Sequence, residues 1–343
     1  GHKVSNLLIA VSGTQTGVVG VRMGSSCTVS GGDCVFLMGT IEKVMFGTMA
    51  VGLDLLAEAH EISVIDSWFF DIETAGIRGR RSVVGGGASV STLFIAGTHF
   101  QGIGSGACGI DIDGGSLYTV IGSTFHGNPG AVSQCGMQFD GYDAVYLSGN
   151  YIELQGTGAS TRGISLGPNN ASNGGGAIIG NHIYGGGTNN KIIVSRGTGI
   201  LIQGNWIDGS GGSTGIAVSA TAGPGISIGP NFYSANISLP INEPGSTNSM
   251  RFDVYSSGGV NTVPRLPRLG LQAESGDTIE GGGMLDISTN LGAGAMTNWN
   301  AIRVRQNTGA GTITNFSVFD FNAAAGTHRS LATGSGPSTL ARI

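Results

Sequence analysis

Apolar and polar residues alternate in short segments that recur along most of the chain. The recurring segment has two or three alternating apolar positions, a small polar pair, and then an aromatic residue or an isoleucine. A period of two predicts short β-strands with one buried face. Copies of the segment stand at 93–100, 120–125, 145–152, 178–183, 201–207 and 226–232, with a degenerate copy at 63–69.

A second landmark lies between these copies and keeps phase with them. It is a glycine followed by alternating apolar residues, as in Gly109-Ile110-Asp111-Ile112. The closing apolar residues of the first landmark, from Phe69 to Phe232, follow one another at intervals of 24 to 31 residues. One unit cannot bury its apolar face alone, so stacked coils must build a shared core. An ordinary sandwich is the alternative, but it would not repeat the same residue types at these intervals.

The two landmarks resemble the coil of the right-handed parallel β-helix in the pectate-lyase superfamily, which reads Gly-Ile-x-Leu and then Val-x-Ile-x-Gly-Asn-x-Ile. The resemblance covers about residues 40–236 and is specific for the fold but not for the reaction. We expect an irregular first coil or cap over 1–40, the β-helix over 41–236, and a linker over 237–267, where prolines cluster. The Gly-Asn pairs are expected at sharp bends, because asparagine tolerates the left-handed conformation.

Residues 268–343 carry a different strand pattern, with predicted strands at 284–287, 299–305 and 313–321. We expect a small antiparallel, sandwich-like β domain there, used for trimerisation or glycan contact, because its core would be thin alone. A β-helix followed by such a module resembles the plan of phage tailspikes. That resemblance implies a homotrimer in the virion tail, or otherwise an extracellular protein.

Composition agrees with an all-β chain. The sequence has 64 glycines, 40% apolar residues and only 11% charged residues, which excludes disorder. Its 9 prolines and irregular glycine spacing exclude collagen. The net charge of −5 argues against a nucleic-acid partner, and no apolar run is long enough to predict insertion into a membrane. The chain opens with Gly1-His2-Lys3 rather than methionine, so we expect a fragment of a longer protein.

The four cysteines are too few for a disulfide scaffold. Cys27 and Cys34 flank two glycines, and both a disulfide and two free thiols remain open. Cys108 and Cys135 each precede the glycine of their coil, so we expect them to stack on adjacent rungs as free thiols about 4.8 Å apart.

Outward residues of stacked coils form columns that can be written from the sequence. One column of the Gly-Ile strands is Asp54, Arg78, Asp111, Gln138 and Ser165, and the next is Arg80, Asp113, Asp140 and Gly167. Stacked acids repel unless they share a proton, a cation or an arginine. We therefore take Asp111, Asp113 and Asp140 as candidate catalytic residues, with Arg78, Arg80 and Asp143 as candidate substrate-binding residues. In the alternative, the arginines only neutralise the acids in a solvated patch.

A second pair of columns follows the Gly-Asn bend and is rich in rings. It consists of Trp68, His99, Thr124, Tyr151, His182 and Trp206, and beside them Phe70, Gln101, His126, Glu153, Tyr184, Asp208 and Tyr233. Exposed rings beside carboxylates suit a sugar polymer, whose faces are apolar and whose rims carry hydroxyls. Tyr151, Glu153, His182, Trp206 and Asp208 are candidate substrate-binding residues. Loops or a neighbouring subunit covering these rings would be the alternative.

The expected function is a tailspike-type depolymerase that binds and hydrolyses a bacterial surface polysaccharide without a cofactor. Asp113 and Asp140 suit the short carboxylate separation of a retaining hydrolase, whereas Asp111 and Asp140 suit the longer separation of an inverting one, which we prefer. One alternative is a lyase of the pectate-lyase type, with Ca²⁺ on the carboxylates and an arginine base. The other is a β-helix that binds glycan without cleaving it. The scattered histidines predict no metal site.

Overall fold

The recurring segments fold into a parallel β-solenoid of about seven turns, an arrangement consistent with the expected right-handed β-helix. This computed structural model describes residues 2–12, 17–24, 36–56, 59–80, 90–158, 160–169, 173–185, 190–209, 212–242, 249–253, 268–270, 316–322 and 327–334. Within these ranges every regular element is a strand, so the all-β prediction is confirmed. The chain divides into two compact units, residues 1–278 and 279–343.

Sheet I contains the Gly-Ile strands, which pair in parallel from coil to coil. Its apolar residues alternate toward the interior, where they join one continuous core. The strands of sheet I are β2 (Val19–Met23), the last parts of β3 (Phe36–Leu55) and β5 (Trp68–Gly79), β8 (Ala107–Asp113), β11 (Gln134–Asp140), β14 (Arg162–Leu166), β17 (Ile192–Val194), β20 (Ser213–Val218) and β23 (Ile237–Asn242).

Sheets II and III lie before and after the Gly-Asn bend of each coil. Sheet II contains the first part of β3, β4 (Ala59–Ile65), β6 (Val90–Ala96), β9 (Gly115–Ile121), β12 (Ala144–Ser148), β15 (Gly175–Ile179), β18 (Ile200–Gln203), β21 (Ile226–Ile228) and β24 (Ser249–Asp253). Sheet III contains the middle of β3, the start of β5, β7 (His99–Ile103), β10 (Thr124–Gly127), β13 (Tyr151–Leu154), β16 (His182–Gly185), β19 (Trp206–Gly209) and β22 (Phe232–Tyr233).

The parallel pairing extends beyond the expected bounds of 41 and 236. Strand β1 (His2–Ala10) and β2 both pair in parallel with β3, so the predicted cap contributes rungs of the solenoid. Strand β23 pairs in parallel with β20, and β24 with β21, within the predicted linker. The proline at 240 does not end the solenoid, although prolines suggested a linker here. Strand β23 is the last described strand of sheet I, and an edge strand tolerates a missing N–H donor.

The described part of 268–343 is small and antiparallel. Strand β25 (Arg268–Gly270) pairs antiparallel with β24. In the second unit, β26 (Phe316–Asn322) and β27 (Thr327–Gly334) form an antiparallel pair. The strands predicted at 284–287 and 299–305 lie outside the described residues, so the sandwich-like domain stays a prediction.

Four phenylalanines form a stack inside sheet III. Phe46, Phe69, Phe100 and Phe125 are buried, with ring centroids 4.6, 4.9 and 4.6 Å apart and planes within 10° of parallel. The glycines of the first sheet I strands are needed beside this stack. A Cβ on Gly109 would stand 2.5 Å from the Phe125 ring, and one on Gly52 would stand 2.4 Å from Phe69.

In the Gly-Asn bends the glycine, and not the asparagine as expected, takes the left-handed conformation. The glycines Gly149, Gly180 and Gly204 take the left-handed backbone, with φ of 62°, 64° and 65°. The asparagine after each of them points inward and is buried. The side-chain amides then form a ladder, in which Asn150 donates to Asn181 at 2.9 Å and Asn181 donates to the next asparagine at 3.0 Å. Satisfying amides of neighbouring coils in this way makes their burial tolerable.

The last predicted rung is shifted by one residue. Trp206 pairs with Phe232 and Ile207 pairs with Tyr233, so Phe232 is 58% exposed and Tyr233 is buried. The final interval is therefore one residue longer than the predicted one. The bend keeps the length of the preceding one, because Ile202 pairs with Ile228 and Trp206 pairs with Phe232. Phe232 and Tyr233 are adjacent aromatic residues, so the apolar pattern alone does not show which of them faces inward.

The two internal cysteines stack as predicted. Cys108 and Cys135 occupy paired positions on β8 and β11, and both are buried free thiols. The hydrogen bond that the Cys108 thiol makes to Cys135, together with burial, raises the pKa of Cys108 well above its ordinary value, so this thiol is kept neutral. Cys27 and Cys34 lie outside the described residues.

Candidate functional site

The candidate residues fall on two separate surfaces of the solenoid. Arg78, Asp111, Asp113 and Asp140 belong to strands of sheet I, with Arg80 and Asp143 in the segments that follow those strands. Tyr151, Glu153, His182, Trp206 and Asp208 all belong to sheet III. The predicted stacking is confirmed on both sheets, since Asp140 pairs with Asp113 and Tyr151 pairs with His182.

The first acid of the sheet I column has the expected outward position but is buried beneath its neighbours. Asp54 is 1% exposed and lies between two arginines. Its Oδ1 accepts a hydrogen bond from Nε of Arg78 at 2.8 Å, and its Oδ2 accepts one from Nε of Arg22 at 3.2 Å. Burial raises the pKa of Asp54, but the two guanidinium groups outweigh it and hold that pKa below its ordinary value.

The middle of this column is also paired. Oδ2 of Asp111 accepts a hydrogen bond from Arg80 at 2.7 Å, and Oδ1 accepts one from Nε2 of Gln138 at 3.0 Å. Arg162 in turn donates to the side-chain oxygen of Gln138. Both oxygens of Asp111 are therefore engaged, which is the neutralised arrangement named as the alternative for these charges.

Asp140 is a buried acid that holds a turn. It is 3% exposed, and its Oδ1 and Oδ2 accept backbone N–H groups of Gly141 and Asn169, each at 3.1 Å. Asp140 keeps the expected outward place beside Asp113, but the segment after β14 returns to cover it, so its side chain is not exposed as expected. Asp113 is half-buried and Asp143 is exposed.

Sheet III carries an outward column of rings, interrupted on one rung by Thr124, which we call the aromatic stripe. Its ring centroids lie 5.1 Å apart for Tyr151 and His182, 5.8 Å for His182 and Trp206, and 6.3 Å for Trp206 and Phe232. At its other end Trp68 and His99 are 5.5 Å apart. The members of the aromatic stripe are Trp68, His99, Thr124, Tyr151, His182, Trp206 and Phe232.

Rings near both ends of the aromatic stripe are exposed to solvent. Trp68 is 40% exposed, Trp206 is 55% exposed, and Tyr184 in the neighbouring column is 38% exposed. Phe232 was placed in the core by the sequence reading and is a stripe residue missed there. The register set by the asparagine ladder was the signal that would have found it, because the residue after each ladder asparagine faces outward.

Glu153 stands beside the stripe in the companion column. Its carboxylate accepts hydrogen bonds from the Tyr151 phenol at 3.1 Å and from Gln155 at 3.0 Å. On the preceding rung, Nδ1 of His126 lies 3.4 Å from Oε2 of Glu153. Burial raises the pKa of Glu153, but these donors outweigh it and hold that pKa below its ordinary value. Glu153 is therefore ionised at neutral pH.

Asp208 stands two rungs further along the same column. Glu153 pairs with Tyr184, and Tyr184 pairs with Asp208. One carboxylate oxygen of Asp208 accepts the N–H of Gly209 at 2.7 Å.

Lys191 lies buried behind this column, and the sequence reading did not single it out. It is 2% exposed, and its Nζ donates to the carbonyl of Gly185 at 3.0 Å. Burial lowers the pKa of Lys191 to about 8, although nearby Asp208 opposes the shift.

No family model, no curated protein and no solved structure matches the chain. Among the described residues, no group of three or more His, Cys, Asp or Glu is placed to hold a metal ion. No helix long and apolar enough to cross a membrane occurs in the same residues.

Proposed function

We propose that this protein binds an extended bacterial surface polysaccharide along the aromatic stripe. The observation that carries the proposal is the series of outward rings on sheet III, four of them on consecutive rungs from Tyr151 to Phe232, with Trp206 and Phe232 more than half exposed. Large exposed rings are costly in water, and contiguous apolar patches on soluble proteins mark binding sites. A flat sugar face stacks on such a ring and removes it from water.

The geometry of the stripe also suits a polymer. Successive rings are repeated by the rung spacing of about 4.8 Å along the solenoid axis. A glycan chain lying along that axis would meet a ring at nearly every sugar. Glu153 and Asp208, beside the rings, would accept hydrogen bonds from sugar hydroxyls, and these charge-assisted bonds are among the stronger kind.

Hydrolysis of the bound glycan is the second candidate function, and the spacing of Glu153 and Asp208 favours it. Two rungs separate them, which is about 9.6 Å between backbones and close to the upper limit for an inverting pair. Glu153 is ionised and would act as the base that activates water. Asp208 would then act as the acid toward the leaving oxygen.

The sheet I acids support catalysis less well than expected from the sequence. Asp111 is paired through both oxygens, and Asp140 is buried against backbone N–H groups. The lyase alternative needs an arginine base. The hydrogen bond from Arg78 to Asp54 raises the pKa of Arg78, which makes that guanidinium a poorer base still.

The wider setting is proposed from the resemblance to tailspikes. We take the protein to act as a homotrimer, in a phage tail or another extracellular setting, where bacterial surface polysaccharide is exposed. Sedimentation of the whole chain tests the trimer, since a stable monomer would contradict it.

Binding is tested by affinity electrophoresis of the full chain through gels that contain soluble bacterial polysaccharides. We expect retardation by at least one of them, and loss of that retardation in Trp206→Ala and Trp68→Ala. Tyr146→Ala is the matched control, because Tyr146 is 40% exposed on sheet II, away from the stripe. Equal retardation of the stripe variants and the wild type would contradict the proposal.

Cleavage is tested by incubating the protein with the polysaccharide that it binds and measuring released reducing ends. We expect release by the wild type and loss of at least a hundredfold in Glu153→Gln and Asp208→Asn, as is typical when an acid or base is removed. Retardation without any release of reducing ends would leave a glycan-binding solenoid and overturn the hydrolase.

A further inference from the structure

The fixed charges of the stripe surface have one sign. The sheet III segments from Trp68 onward contain three acids, Asp71, Glu153 and Asp208, and neither lysine nor arginine; these segments are 68–71, 99–103, 124–127, 151–154, 182–185, 206–209 and 232–233. Glu153 and Asp208 lie in the column directly beside the rings. Any glycan that lies on the rings therefore runs past two carboxylates on this surface.

Three arginines of the first coils are held elsewhere. Arg22 and Arg78 are paired with Asp54, and Arg80 is paired with Asp111, all on or next to sheet I. Lys191 is buried with its Nζ bonded to a backbone carbonyl. These cations are committed to acids or backbone of the fold, so they offer no counter-charge to an anionic group on the rings.

This distribution discriminates between classes of polysaccharide. His126 already faces Glu153 at 3.4 Å, so a uronate or phosphate group carried by the glycan would stand beside Glu153 or Asp208 with no lysine or arginine on these strands to balance it. Like charges at an interface oppose binding. An uncharged sugar meets no such repulsion and donates hydroxyl hydrogen bonds to both carboxylates. The two acids thus reject one class while they bind the other.

We propose that the aromatic stripe selects uncharged polysaccharides and rejects those bearing uronate or phosphate groups, through Glu153 and Asp208. This inference rests on the proposed glycan-binding function and adds the chemical class of the ligand. It also separates the protein from enzymes that act on polyuronates, which need cations facing the substrate.

The first experiment is an array of immobilised bacterial polysaccharides that includes uncharged and acidic members, probed with the whole protein. Binding to uncharged members alone supports the inference. Binding to acidic members with equal or greater strength overturns the inference but keeps the proposed function. Binding to no member, at any salt concentration, overturns the proposed function itself.

The second experiment uses the uncharged polysaccharide that binds best and a carboxymethylated form of the same polymer. We expect the charged form to bind about tenfold more weakly at low salt. The deficit should shrink at high salt, where exposed charges are screened, and in the double variant Glu153→Gln/Asp208→Asn.

The matched control for that variant is Glu61→Gln, which removes an exposed carboxylate on sheet II. It should keep the full tenfold deficit. An equal deficit in the double variant, the control and the wild type would show that the carboxymethyl groups act by their size. That outcome overturns the role of Glu153 and Asp208.

Discussion

The phenol of Tyr151 donates a hydrogen bond to Oε2 of Glu153 at 3.1 Å, on the outer side of sheet III. One of these residues belongs to the aromatic stripe and the other to the column beside it. Burial raises the pKa of Tyr151, and this hydrogen bond raises it further. The same bond helps to keep Glu153 ionised. A sugar on the stripe would therefore meet a ring and a charged acceptor that are already oriented.

Replacement of Glu153 tests this arrangement through pH. A carboxyl whose pKa is lowered by folding stabilises the protein above its ordinary pKa of about 4.3, and that contribution disappears as the pH falls through the folded value. We expect Glu153→Gln to unfold at a lower temperature than the wild type at neutral pH, with the two converging below about pH 4. Thermal unfolding followed by circular dichroism measures this, with Glu61→Gln as the exposed control. A difference that does not change with pH would contradict it.

Asp140→Asn should destabilise the solenoid, because Asp140 is a turn anchor in this structure. The amide that replaces one carboxylate oxygen would face the backbone N–H of Gly141 or Asn169 and leave it unsatisfied. We expect a loss of about 1–2 kcal/mol in the free energy of unfolding, despite the relief of repulsion from Asp113. Denaturant unfolding measures it, and Asp143→Asn, at an exposed position, should change it little. Unchanged stability of Asp140→Asn would contradict the anchoring role.

Lys191→Met should stabilise the protein below pH 8. Burial lowers the pKa of Lys191 to about 8, so charging this lysine costs free energy in the folded state but not in the unfolded state. The cost is complete below pH 8 and disappears as the pH rises toward the unfolded value of about 10.4. The variant should gain on the order of 1–3 kcal/mol at neutral pH, and the gain should shrink above pH 8.

The unfolding temperature at pH 7 and near pH 10 measures this difference. Lys43→Met is the matched control, because Lys43 is an exposed lysine at a corner of the first coils. A Lys191→Met variant that is less stable than the wild type at neutral pH would show that the hydrogen bond to Gly185 outweighs the burial of charge.

The bend between sheets II and III offers a test of backbone strain. Lys43 and Asp66 take φ of 53° and 46° there, where later coils use glycine. We expect Lys43→Gly to stabilise the protein by about 0.5 kcal/mol and Gly149→Ala to destabilise it by about 1 kcal/mol. A Cβ on Gly149 would meet no atom within 4 Å, so its cost is conformational. Denaturant unfolding measures both changes, and Lys43→Ala separates loss of the charge from gain of the glycine.

The registers of the strands were predictable because a period of two leaves little freedom once a core is shared between coils. The pairs Asp113–Asp140, Cys108–Cys135 and Tyr151–His182 follow from that phase alone. The one shifted rung, at Phe232, arose where two aromatic residues, Phe232 and Tyr233, stand side by side. Either residue fits the inward position of an apolar pattern, so only the pairing of the coils decides which side chain faces outward.

The sequence by itself determined the all-β solenoid, its three sheets and the columns of outward residues, because stacked coils repeat the strand pattern at a constant spacing. Only the tertiary structure decided which of these columns remain exposed to solvent. The backbone of Asn169, which lies 29 residues further along the chain, covers Asp140. Arginines from the coils on either side cover Asp54. Such contacts depend on the path of the turns between strands, and turn segments carry no repeating pattern. The aromatic stripe stays exposed because no described segment returns over Trp206 and Phe232.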